Sequence, residues 1–60
     1  MTDYEITAAM IMYGGSFAAQ LGRLFRLADP ENQQKLKAAF PEYFIQYHDL
    51  ALTRLQQRRA

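Results

Sequence analysis

Apolar residues return every third or fourth position along nearly the whole chain, and no segment alternates with the period of two that a strand requires. Ile6, Ala9, Met10 and Tyr13 share one face of a first helix, which the pattern places from about Asp3 to Met12. Thr2 and Glu5 stand at its start with the spacing of a capping box, in which hydroxyl and carboxylate each satisfy a backbone N–H that the helix leaves free. Phe17, Leu21, Leu24, Phe25 and Ala28 form the apolar stripe of a second helix ending near Ala28, with Gln20, Arg23 and Arg26 opposite. Ala18 and Gly22 lie one turn apart on it, a small-residue face that another helix can approach closely.

Asp29-Pro30-Glu31 combines a capping residue, a proline suited to the first helical position and an acid in the first turn. The short third helix that follows directs Leu36, Ala39 and Phe40 inward and Gln33, Gln34, Lys35 and Lys37 to water. Pro41 restricts Phe40 away from the helical region, so a last helix starts there and runs to about Arg58. Phe44, Tyr47, Ala51 and Leu55 share its inner face, flanked by Tyr43 and Leu50. The expected fold is all-α: a single domain over residues 1–60, built as a small bundle of three to four short helices.

Met12-Tyr13-Gly14-Gly15-Ser16-Phe17 is the main interruption of the helical pattern and holds two of the three glycines. The pair is expected to close the first helix through left-handed backbone, with Ser16 capping the second. A phosphate-binding loop needs more glycines, a strand before it and, in a P-loop, a Lys-Ser/Thr ending, none of which is present. A helix-turn-helix reading takes Gly15 as the turn and lets Gln20, Arg23 and Arg26 project from a recognition helix toward DNA. Against it, Ile11 stands where that turn expects a small residue, and a net charge of +1 provides little attraction for phosphates. The corner between two packed helices is the stronger reading.

The chain has no cysteine and one histidine, so disulfides and thiolate or multi-histidine metal sites are excluded, and no metal or cofactor is expected. His48 and Asp49 are adjacent, and neighbours on a helix diverge by about 100°, which does not make a dyad. Ser16 reads as a cap and Thr53 as an ordinary helical residue, so the expectation is a protein that is not an enzyme. No apolar run approaches the roughly 18–20 residues that span a bilayer, and the acidic start is unlike a signal peptide. A soluble protein of the bacterial cytoplasm is expected.

A domain of 60 residues buries only roughly 60% of its unfolded surface, and this one has no covalent or metal staple. Self-association, most simply as a homodimer, is the expected remedy. Ile45 and Leu52 lie seven apart, off the inner stripe of the last helix, and Ile11 and Met12 broaden the first helix in the same way. The expected partner-binding residues are therefore Tyr43, Ile45, Tyr47 and Leu52, with Arg54 and Arg58 at the edge.

Gly14-Gly15-Ser16-Phe17, Leu21-Gly22, Ala28-Asp29, Asn32 and Phe40-Pro41-Glu42-Tyr43 with Tyr47 form a pattern over more than half the chain. It resembles small helical proteins, uncharacterised in activity, that are encoded by bacteriophages and prophages of Gram-negative bacteria. Where those proteins often carry tryptophan after Pro-Glu-Tyr, this chain has Phe44, a conservative change for packing. The resemblance implies a phage or prophage origin and a role in binding and redirecting a host or phage protein.

Overall fold

A computed structural model describes the backbone of residues 2–59 and the side chains of residues 2–54. Among the described residues the chain forms four helices and no strand: α1 (Asp3–Tyr13), α2 (Ser16–Leu27), α3 (Pro30–Ala39) and α4 (Pro41–Arg59). α1 begins where the capping box predicts. The Thr2 N–H and hydroxyl both donate to Glu5 Oε1 at 3.1 Å, and the Glu5 N–H donates to Thr2 Oγ1 at 3.2 Å. The backbone bond from Thr2, and then its hydroxyl, hold the Glu5 carboxyl below its ordinary pKa.

α1 is the element against which α2 and α4 both pack, and the core forms where they meet. From α1 it takes Ile6, Ala9 and Met10, as the periodicity predicts. Thr7 is also fully buried, and Tyr13, expected inside, sits at the last turn and stays 45% exposed. α2 contributes Ala18, Leu21, Gly22 and Phe25. α4 contributes Phe44, Tyr47 and Ala51, the predicted inner face, with the ring of Phe44 5.1 Å from that of Phe25. Leu55 lies outside the described side chains.

The corner between α1 and α2 differs from expectation in its chemistry. Neither glycine is left-handed: Gly14 has φ −78° and ψ 159°, and Gly15 has φ −71° and ψ −174°. Gly14 is required by space. A Cβ there would lie 2.5 Å from the Met10 carbonyl oxygen, 2.6 Å from Ala18 Cβ and 3.1 Å from the Tyr47 hydroxyl. Gly15 faces open space and occupies the N-cap of α2, so Ser16 is the first helical residue and makes no capping bond.

α3 is held differently from its neighbours. None of its residues is fully buried, and Ala39, expected inside, is exposed. Leu36 and Phe40 pack only partly against the core. Two polar residues expected in water supply the remaining attachments: Gln33 Nε2 donates to the Phe25 carbonyl at 3.1 Å, and Lys37 Nζ lies 2.9 Å from Asp3 Oδ1. The first of these adds a second donor to a carbonyl in the last turn of α2, which also accepts from the Ala28 N–H at 3.2 Å. Asp29 occupies the N-cap of α3 as predicted, but its carboxylate accepts from the Asn32 side chain and makes no bond to the backbone there.

Two outcomes test this account. Gly14→Ala should destabilise the fold by about 1–3 kcal/mol through overpacking, whereas Gly15→Ser should stabilise it by roughly 0.5–1 kcal/mol by supplying a cap and reducing unfolded-state freedom. Urea unfolding of both variants measures this; equal losses at the two positions would contradict the assignment. The lowered Glu5 pKa makes the cap's contribution complete above the unfolded pKa and lost as pH falls through the folded one. Thermal unfolding of Glu5→Gln should therefore vary less with pH in the acid range than that of the parent protein.

Candidate functional site

The residues that the sequence groups as one contact surface are distributed over several faces. Ile45 and Leu52 are 64% and 42% exposed on the outer side of α4, about 20° apart around its axis. Tyr47 is two positions from Ile45, roughly 200° of rotation, and is 7% exposed in the core beside Gly14. It is therefore a packing residue, not a contact residue. Tyr43, one turn before Tyr47, is half-buried at the edge of the inner face, its ring 5.4 Å from that of Phe17, and Phe17 in turn stacks edge-on to Phe40 at 5.5 Å.

Arg54 is exposed, but its guanidinium carbon lies 4.7 Å from the centre of the Tyr13 ring, joining α4 to the end of α1. Arg58 lies outside the described side chains. His48 Nδ1 is 3.5 Å from Asp49 Oδ1, nearer than helical divergence alone predicts, with both side chains open to water.

The three residues of the DNA-reading alternative also separate. Gln20 and Arg23 are exposed on α2. Arg26 is folded back onto α1: its Nε donates to Thr7 Oγ1 at 3.0 Å, a terminal nitrogen donates to the Tyr4 carbonyl at 2.9 Å, and its guanidinium covers the Tyr4 ring at 3.9 Å. The Thr7 hydroxyl meanwhile donates to the carbonyls of Asp3 and Tyr4. Arg26 thus completes the hydrogen bonding of a fully buried threonine, contrary to the expectation that it projects from the helix.

Another run of exposed apolar side chains lies on α2 and includes Phe17 and Leu24, which the periodicity groups with the core residues Leu21 and Phe25. Phe17, Leu24 and Leu27 on α2 are 54%, 51% and 86% exposed. With Gln20 they follow the spacing i, i+3, i+7, i+10 along a single stripe. Beside the stripe, between α2 and α3, lies a cleft of about 580 Å³. Leu24, Leu27, Leu36 and Ala39 line it, with Asp29 and Lys35 among its polar residues. The apolar arc of α2 is wider than one neighbour can cover, which was the available signal.

No family model matches the chain, and neither the curated proteins nor the solved structures contain a match to it. Its class therefore rests on its own geometry: a four-helix all-α unit with apolar surface left open on two sides.

Replacing Arg26 by Ala should lower stability by about 1–2 kcal/mol, since it leaves a buried hydroxyl short of a donor and removes a stacked cation. Arg23→Ala should stay within roughly 0.5 kcal/mol of the parent protein. Chemical denaturation of the pair measures the difference, and equal stabilities would mean that the Thr7–Arg26–Tyr4 link contributes nothing.

Proposed function

We propose that this chain is a non-enzymatic interaction protein of phage or prophage type, acting in the bacterial cytoplasm. It works as a homodimer and docks an exposed apolar helix face onto a host or phage protein, blocking or redirecting it. The observation that carries this reading is the pair Ile45 and Leu52, which lie in register on the outer side of the longest helix and take no part in the core. Apolar side chains at that spacing form the kind of anchor by which an amphipathic helix enters a hydrophobic groove. Arg54, two positions from Leu52 and stacked on Tyr13, lies on the α1 side of α4, so this apolar pair stands without it. The phage assignment rests on the sequence pattern from Gly14 to Tyr47 described above.

Capture from bacterial lysate, comparing the parent protein with Ile45→Asp and Leu52→Asp, tests the assignment. Both positions are exposed, so the variants should keep the helical circular dichroism of the parent. Binding of the captured protein should fall at least about a hundredfold, because docking would bury an unpaired carboxylate. If both variants still retain the same partner, the α4 face is not the docking surface. A salt-sensitive complex with duplex DNA that disappears in Arg23→Ala would instead establish the helix-turn-helix reading.

A further inference from the structure

We propose that two copies of the chain pair through antiparallel α2 helices, the stripe Phe17–Gln20–Leu24–Leu27 of one lying on the same stripe of the other. This rests on the self-association proposed above and assigns its location, which the outer face of α4 does not share. The stripe has the spacing of a coiled-coil seam. A two-fold axis crossing α2 midway between Gln20 and Leu24 sets Phe17 against Leu27 of the second copy, and Gln20 against its Leu24. The surface is thus complementary to itself end to end, as an isologous interface must be.

Two further observations favour a second copy as the occupant. Leu27 is the most exposed large apolar residue among those described, and it borders the α2–α3 cleft, which offers apolar walls to an opposing side chain. A small stable interface needs about 600 Å² from each copy, roughly one seventh of the 4279 Å² surface of this chain. That is within the reach of one face of α2 extended by α3. The outer face of α4, by contrast, presents Ile45 and Leu52 as its exposed large apolar residues among those described.

Sedimentation equilibrium of the full chain over the micromolar range tests this, with circular dichroism recorded on every sample. The parent protein should have twice the chain mass. Leu27→Glu should be monomeric at the same concentrations with its helicity retained, since position 27 is 86% exposed in the single chain. Ile45→Glu should remain dimeric. Gln20→Leu removes the one polar residue of the seam and should tighten the dimer about tenfold. A monomeric parent protein would overturn both the dimer and its location. A dimer that survives Leu27→Glu, or dissociates with Ile45→Glu, would overturn the α2 assignment while leaving self-association in place.

Discussion

The close approach of α1 and α2 is the constraint on which the rest of the structure depends. Gly22 lies where a Cβ would come within 3.0 Å of the Thr7 carbonyl oxygen, 3.1 Å of Met10 Cβ and 3.2 Å of Ile11 Cγ1. A glycine in mid-helix costs roughly 1 kcal/mol relative to alanine, and here it allows the two backbones to meet. Met10 and Thr7 beneath it are fully buried as a result. Burying Thr7 imposes a second requirement, because its hydroxyl needs partners away from water. The α1 carbonyls accept its proton and Arg26 supplies the donor, so one close contact fixes a glycine, a threonine and an arginine together.

The same contact determines what remains outside. Once Ala18 and Gly22 turn toward α1, the helix presents Leu21 and Phe25 to the core and rotates Phe17, Leu24 and Leu27 toward solvent. α3 lies on that side but is too short and too polar to cover it. Its attachments are partly buried Leu36 and Phe40, one hydrogen bond to the end of α2 and one ion pair with the start of α1. An exposed ion pair of that kind contributes at most about 1 kcal/mol. The open cleft between α2 and α3 is therefore the counterpart of the tight α1–α2 contact.

Helix positions and the inner face of α4 were legible because each depends on local chemistry: a capping box, Asp-Pro-Glu, Pro41 and the spacing of Phe44, Tyr47 and Ala51. The Ala18–Gly22 face was also legible as a place of close approach. Three matters were not. The corner glycines were expected to need left-handed backbone, whereas Gly14 is constrained by Met10, Ala18 and Tyr47, a contact that arises only when three helices assemble. Phe17 and Leu24 were grouped with the inner stripe of α2 because periodicity gives the width of an apolar arc but not which part of it a neighbour covers. Tyr47 was counted as a contact residue as well as a core one, although it cannot share a face with Ile45.

The distribution of the cations bears on which kind of partner this surface suits. Nucleic-acid binding draws its strength from several cations free to neutralise phosphates along one face. Arg26 and Lys37 are engaged with α1, Arg54 stacks on Tyr13, and Lys35 lies 3.8 Å from Glu31. On α2, the helix that would have to read DNA, this leaves Arg23 beside a row of exposed Phe17, Leu24 and Leu27. A helix with one outward cation and three outward apolar side chains gains far more from excluding water against another protein than from approaching a phosphate backbone. The physical balance of that face thus favours protein contact, and it does so because the fold draws Arg26 inward to satisfy Thr7.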